Sequence, residues 1–352
     1  MMRRGFGRGM GLLAAGLLAV SGLSLAAAQT SSERIAGTDR YLTAVEISKQ
    51  VRPGQVGTVF VASGEDFPDA MVGGAIAGAY RYPVLLTGRS SVPAHVLAEI
   101  KRLAPVHIIL LGGPKAISSQ VEAELGEVGV VTRLQGANRY ATAVMVSRWG
   151  LEPGIRVAYL ASGEGFPDAL AGGVAAARAD GPVLLTDPAR LSAETAEHLA
   201  EFKPNRIVIL GGPNAVSEHV ATEVAKYAPV SRLAGADRFG TSAAISADTF
   251  TKASTVVIAS GTTFPDALSG TPLAAKLRAP VLLVNSDSVP ASICTEIRRL
   301  APTKVIGLGG ASAVSDATLN RARDCATPPT MAPNPAPTPT VGPTAPPQSS
   351  GS

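Results

Sequence analysis

Thr58-Val-Phe-Val-Ala62-Ser63-Gly64-Glu65-Asp66-Phe67-Pro68-Asp69-Ala70 passes from a short apolar, β-branched run through a glycine turn into a proline and an acid. The same passage returns as Ala161-Ser162-Gly163-Glu164-Gly165-Phe166-Pro167-Asp168-Ala169 and as Ala259-Ser260-Gly261-Thr262-Thr263-Phe264-Pro265-Asp266-Ala267. An apolar run without alternation reads as a strand covered on both faces. Proline suits the first helical position, where its missing N–H is no loss, and an acid beside it offsets the positive end of the helix dipole. A strand leading into a helix at a fixed period predicts parallel sheets joined by right-handed crossovers.

The whole surrounding unit repeats as well. Arg34-Ile-Ala-Gly37-Thr-Asp39-Arg40-Tyr41-Leu-Thr43 recurs as Arg133-Leu-Gln-Gly136-Ala-Asn138-Arg139-Tyr140-Ala-Thr142 and as Arg232-Leu-Ala-Gly235-Ala-Asp237-Arg238-Phe239-Gly-Thr241, each step being 99 residues. In the first unit the pattern predicts helices over 42–51, 68–80 and 93–103 and another after Ser118, with strands over 58–62, 84–87 and 107–111. Ser118, Ser217 and Ser315 suit helix N-caps, and Pro68, Pro167 and Pro265 suit helix starts. The expected fold is α/β: three tandem Rossmann-like or flavodoxin-like three-layer units with parallel sheets. The expected boundaries are 1–28 for a signal peptide, 33–131, 132–230 and 231–326 for the repeats, and 327–352 for a disordered Pro/Thr-rich tail.

Residues 1–28 carry Arg3, Arg4 and Arg8, then an apolar run from Gly11 to Leu25, then Ala26-Ala27-Ala28, the layout of a cleaved secretory signal. Gly11, Gly16, Ser21, Gly22 and Ser24 interrupt that run and argue against a transmembrane anchor. Export from the cytoplasm is the expectation, as a secreted protein. The leader arginines account for most of the formal +4, leaving a mature chain near +1, without the dense basic run a nucleic-acid binder needs. Cys294 and Cys325 are the two cysteines, and in an exported protein they are expected to pair and fasten the last helix. After Thr327 the composition is dominated by Pro, Thr, Ala, Gly and Ser, with no charged residue and little to bury, hence an extended tail.

Candidate ligand-binding residues fall at strand ends, where open parallel sheets take ligands. They are Ser63, Ser162 and Ser260 with Asp69, Asp168 and Asp266 in the Ala-Ser-Gly-x-x-Phe-Pro-Asp passage, and the loop glycines Gly112, Gly113, Gly211, Gly212, Gly309 and Gly310. A structural reading competes: the aspartates suit a helix start and the glycines a tight turn. Arg40, Arg139 and Arg238 sit near a helix start, where the dipole disfavours a cation, so something else holds them. That is either an ion pair with a repeated Asp or a bidentate grip on a carboxylate or phosphate. Arg34, Arg133 and Arg232 open the units and suit unit-to-unit fixing.

Catalysis finds little support. His95, His107, His198 and His219 do not superpose under the repeat, Glu65 and Asp66 become Glu164 and Gly165 and then Thr262 and Thr263, and no metal cluster or G-x-S-x-G elbow occurs. No cofactor is expected, and the glycine loops lack the residues of a nucleotide fingerprint. Three equivalent units suit a multivalent binder.

Taken together, R-x-x-G-x-[DN]-R-[YF]-x-T, A-S-G-x-x-F-P-D-A and the Leu-Gly-Gly loop resemble the cell wall-binding repeat type 2 family over about 298 of 352 residues. The resemblance implies non-covalent attachment to an anionic wall polymer, a secondary polysaccharide or a teichoic-type polymer, with three copies packed as a pseudo-threefold trimer and surface-layer proteins as further partners. Rival readings are a wall-active, amidase-like hydrolase and a structural surface-assembly protein. Departures are local: Asn138 for Asp39 and Asp237, Ala311 for the proline after the loop, and Thr271 for the second glycine of Gly73-Gly74 and Gly172-Gly173.

Overall fold

The computed structural model describes residues 30–52, 54–66, 69, 71–165 and 167–327. The signal peptide, Pro68 and the tail beyond Thr327 lie outside the described residues.

The first elements in chain order are β1 (Ser31–Ile35), α1 (Arg40–Val51), β2 (Thr58–Ser63), α2 (Gly73–Tyr80), β3 (Val84–Thr87), α3 (Ala94–Leu103), β4 (His107–Leu111) and α4 (Ser119–Gly126). The second set is β5 (Val130–Leu134), α5 (Arg139–Gly150), β6 (Ala158–Ser162), α6 (Pro167–Arg178), β7 (Val183–Thr186), α7 (Ala193–Phe202), β8 (Ile207–Leu210) and α8 (Glu218–Val224). The third is β9 (Val230–Leu233), α9 (Arg238–Thr249), β10 (Thr255–Ser260), α10 (Pro265–Leu277), β11 (Val281–Val284), α11 (Ala291–Leu300), β12 (Lys304–Leu308) and α12 (Asp316–Cys325).

These elements form three four-stranded parallel sheets in the orders β3-β2-β4-β5, β7-β6-β8-β9 and β11-β10-β12-β1. Each is an α/β unit of the flavodoxin-like order, in which the chain reverses direction across the sheet between the first and third strands. Loops that leave such a switch point diverge and open a crevice at the strand carboxyl ends. Here those loops are the ones after β2, β6 and β10 and after β4, β8 and β12.

The strands β2, β3 and β4 stand where the apolar runs predict them, and Ser118, Ser217 and Ser315 cap α4, α8 and α12 through their hydroxyls. The helices α6 and α10 begin on Pro167 and Pro265 as expected. The fourth strand of each sheet was not anticipated. Val130–Leu134 lies at a sheet edge with exposed positions alternating along it, so it lacks the unbroken apolar run that marked its neighbours. In the last sheet that edge strand is β1, from the beginning of the chain: Ser31 lies opposite Lys304 and Ile35 opposite Leu308.

The helices α2, α6 and α10 pack against one another at the centre. Helices approach this closely only through small residues, here Gly74, Gly78, Gly173, Ala177 and Ala275. Thr271 fills the space facing Gly74 and Gly173: a Cβ on Gly173 would lie 3.1 Å from Thr271 Cγ2. The departure at Thr271 therefore completes the packing of its two glycine counterparts.

The seams between repeats use different chemistry. Tyr80 Oη donates to the Gly150 carbonyl at 3.0 Å, with Trp149 edge-on to Phe60, between the first and second repeats. The Arg178 guanidinium lies 4.8 Å from the Phe250 ring centre between the second and third. Lys276 Nζ donates to the Gln50 carbonyl at 2.7 Å between the third and first. A disulfide joins Cys294 on α11 to Cys325 at the end of α12, with 5.1 Å between the Cα atoms.

Candidate functional site

The opening passage of each repeat builds a helix start whose side chains are committed one by one. Asp39, Asn138 and Asp237 are N-caps, accepting from the N–H groups of Leu42, Ala141 and Gly240 at 2.7, 2.9 and 2.7 Å. Asn138 thus replaces Asp without loss of the cap, since an amide oxygen accepts as a carboxylate does. Thr43, Thr142 and Thr241 accept from the N–H groups of Gly37, Gly136 and Gly235, closing the turn before the helix.

Arg40, Arg139 and Arg238 are the first residues of α1, α5 and α9, and each Nη1 donates to a backbone carbonyl: Gly64, Gly163 and, at 2.7 Å, Gly261. That carbonyl belongs to the Ala-Ser-Gly turn of the same repeat and answers what holds a cation at a helix start. The rings of the neighbouring Tyr41, Tyr140 and Phe239 press on the same glycines, leaving no space for a Cβ there.

Ser63, Ser162 and Ser260 are buried and shape the turn. Ser63 Oγ accepts from the N–H groups of Glu65 and Asp66 at 3.1 and 3.0 Å, Ser162 Oγ from Glu164, and Ser260 Oγ from Thr262 and Thr263. Their oxygens are engaged with backbone within the loop.

The aspartates and glycine loops meet at one point in each unit. Gly112, Gly211 and Gly309 adopt φ of +100°, +98° and +92°, which favours glycine. A Cβ on Gly112 would lie 2.7 Å from Asp69 Oδ2, and on Gly211 or Gly309 it would collide with Asp168 or Asp266. Glycine thus serves twice here, for the backbone turn and for the carboxylate packed against it. Arg133, Arg232 and Arg34 fasten the loop from the edge strand: they donate to the carbonyls of Gly112, Gly211 and Gly309 at 2.7, 2.9 and 2.6 Å. They also reach Glu122, Glu218 and Asp316 in the first turn of α4, α8 and α12. In Arg34 the contact joins the first repeat to the last.

The clefts open between repeats. One of about 340 Å³ is lined by Asp39, Arg40 and Thr38 from the start of the chain and by Asp266, Thr263 and Ser312 from the third repeat. Another of about 350 Å³ brings Arg139 and Asn138 of the second repeat against Asp69, Gly113 and Lys115 of the first. At the remaining junction Arg238 acts electrostatically on Asp168. Each carboxylate therefore faces the arginine of the next repeat, cyclically, and Asp266 faces Arg40.

Two of these carboxylates, Asp168 and Asp266, are held at a disadvantage. Burial pushes the Asp266 carboxyl up to about 6, the Arg40 charge only partly opposing it, and Asp168 is raised to about 6 by burial against Arg238. Asp168 Oδ1 is buried with no hydrogen-bond partner among the described residues. An arginine and a desolvated acid thus stand together at the crevice of the second and third junctions.

A buried polar contact that sequence reasoning missed lies behind the sheets. Ser48 donates to Glu99 at 2.7 Å and Ser246 to Glu296, and at the same place in the second repeat Ser147 meets His198 Nε2 at 2.8 Å. Burial and the nearby Arg148 lower His198 to about 4, so it is neutral at ordinary pH. Its irregular place among the histidines reflects substitution at a structural position.

Among the described residues no group of His, Cys, Asp and Glu is placed to hold a metal ion, and no helix is long and apolar enough to cross a membrane.

Two curated proteins of Bacillus subtilis (strain 168) are similar in sequence. The amidase enhancer is 29% identical over 294 residues, covering 83% of this chain and 40% of that protein. N-acetylmuramoyl-L-alanine amidase LytC is 27% identical over 304 residues, covering 85% and 59%. Cwp6 and Cwp8 from Clostridium difficile are similar in structure, with TM-scores of 0.79 and 0.76 at 26% identity, over 85% and 84% of this chain and 48% and 51% of theirs. The chain thus spans between two fifths and three fifths of the length of these relatives. The model of Cell wall binding domain 2 (CWB2) matches residues 34–122, 133–221 and 232–319, well over half of the chain, and the protein belongs to that family.

Proposed function

We propose that this is an exported protein that attaches non-covalently to the bacterial cell wall, its three inter-repeat clefts binding an anionic wall polymer of the secondary-polysaccharide or teichoic type. The observation that carries this reading is the placement of Asp69, Asp168 and Asp266, each against a positive-φ glycine and facing the arginine of the next repeat. Two of these carboxyls are desolvated at the expense of stability, a pattern characteristic of sites kept for a ligand. The arginines retain guanidinium N–H groups beyond the one given to the glycine carbonyl, suited to a phosphate or carboxylate.

Helices α2, α6 and α10 at the centre, with β1 closing onto β12, support a pseudo-threefold packing of repeats 33–131, 132–230 and 231–326. Three weak sites held at fixed spacing raise avidity by about 10² to 10⁴ over one, provided one polymer reaches them together. Surface-layer proteins are further partners in this reading.

The test is co-sedimentation of residues 29–352 with purified sacculi, before and after chemical stripping of the anionic polymers. Binding is expected to fall on stripping, to weaken with salt, and to drop in the triple variant R40A/R139A/R238A that still melts cooperatively. Binding that survives stripping and the triple variant overturns the assignment of the clefts to an anionic polymer.

A further inference from the structure

Although built on one plan, the junction clefts present different side chains. Lys115, in the loop after β4, is replaced by Asn214 and then Ser312. Asp66 is replaced by Gly165 and Thr263, while Ala137 and Ala236 correspond to Thr38. The cleft between the first and second repeats therefore holds two cations, Lys115 and Arg139, across from Asp66 and Asp69. The cleft between the third and first repeats holds a single cation, Arg40, against two acids, Asp39 and Asp266, so it lacks any surplus positive charge, and it is walled by the hydroxyls of Thr38, Thr263 and Ser312.

The commitments of those groups differ as well. Among the described residues, Lys115 Nζ makes no ion pair and Thr38, Thr263 and Ser312 make no side-chain hydrogen bond, so all four are free toward the cleft. A mobile ammonium recognises a point of negative charge. Hydroxyls that both donate and accept match the hydroxyls of a neutral sugar, for which a charge is no advantage.

We infer that the clefts divide the ligand between them: the first-to-second junction takes an anionic group, phosphate or carboxylate, and the third-to-first junction takes an uncharged, hydroxyl-rich sugar unit. This rests on the clefts being the wall-binding sites. The polymer then carries both features along its length, and its order of units relative to the three junctions contributes to selectivity.

The experiment measures binding of the full mature chain to unstripped sacculi across a salt series. K115Q is expected to weaken binding at low salt and to flatten the salt dependence, with K115R restoring the slope. T263V/S312A is expected to weaken binding by about 3- to 10-fold at every salt concentration, the range for one or two lost neutral hydrogen bonds, with the slope unchanged. Thermal melts confirm that each variant folds. If K115Q leaves the slope intact, or T263V/S312A changes it as K115Q should, the division of labour is wrong while wall binding stands. If R40A, R139A and R238A together leave binding untouched, the clefts are not the wall sites and the inference falls with them.

Discussion

Replacing Asp266 by Asn separates burial from ion pairing at the cleft floor. Asp266 is 8% exposed and its carboxyl is raised from 3.8 to about 6. The raised value means the protonated acid suits the folded state. That stabilisation is complete below about 3.8, where the carboxyl is protonated folded or unfolded, and it is lost as pH rises through about 6. Above both values the handicap is about 3 kcal/mol, and about 2 kcal/mol of it is absent at pH 4.5. Asn has the same shape and no charge. D266N should therefore gain about 2 kcal/mol more relative to wild type at pH 7.5 than at pH 4.5, measured by urea unfolding at both pH values. Asp168 titrates in both proteins, and its contribution subtracts out as long as the two sites act independently. The reasoning fails if D266N is less favourable at pH 7.5 than at pH 4.5, for Arg40 would then hold the carboxylate as a net-stabilising ion pair.

Gly309→Ala should cost at least about 1–2 kcal/mol, since φ is +92° and the new Cβ would strike Asp266, whereas Gly310→Ala, with open space around it, should melt like wild type. Replacing Cys294 and Cys325 by Ser removes a cross-link over 31 residues, and thermal melts should show a loss of about 3–4 kcal/mol on the chain-entropy model. Deleting Ser31–Ile35 strips β12 of its parallel partner, and hydrogen exchange should show β12 amides losing protection while β4 and β8 keep theirs. An anionic polymer should bind more tightly at pH 5 than at pH 7.5, because protonating Asp168 removes negative charge from beside Arg238; sedimentation at the two pH values measures it.

What the sequence makes legible follows from how local the cause is. The runs Thr58–Ser63, Val84–Thr87 and His107–Leu111 are apolar because both faces are covered, so their own composition declares them. The edge strand Val130–Leu134 is half exposed, and only its neighbour β4 makes it a strand. The repeated Arg, Asp and glycine pair declare themselves as a set, but not their partners. Arg40 lies in the same cleft as Asp266 because β1 crosses to the third sheet, a contact between distant parts of the chain. The serines were equally visible as a motif, yet whether a hydroxyl faces a ligand or its own loop depends on a turn only two or three residues long. His198 shows the same limit: it occupies a buried glutamate position, and only Ser147 across the helix pair reveals it.

Three repeats in an open row have two junctions, and the third exists only because the ends meet. The chain entropy of that closure grows with the logarithm of the loop, so joining residues some 270 apart costs about 3–4 kcal/mol more than joining residues a few positions apart. Against it stand the β1–β12 pairing, the Arg34 bonds to Gly309 and Asp316, and Lys276 on the Gln50 carbonyl. The same residues that close the ring also build the cleft: Arg34 fixes the loop that seats Asp266, and Arg40 follows β1 by five residues. A ligand that prefers the completed cleft must therefore favour the closed arrangement by its differential affinity, and closure must raise affinity in equal measure. At the other two junctions the covalent chain already holds the repeats side by side, so a ligand there has less closure to drive.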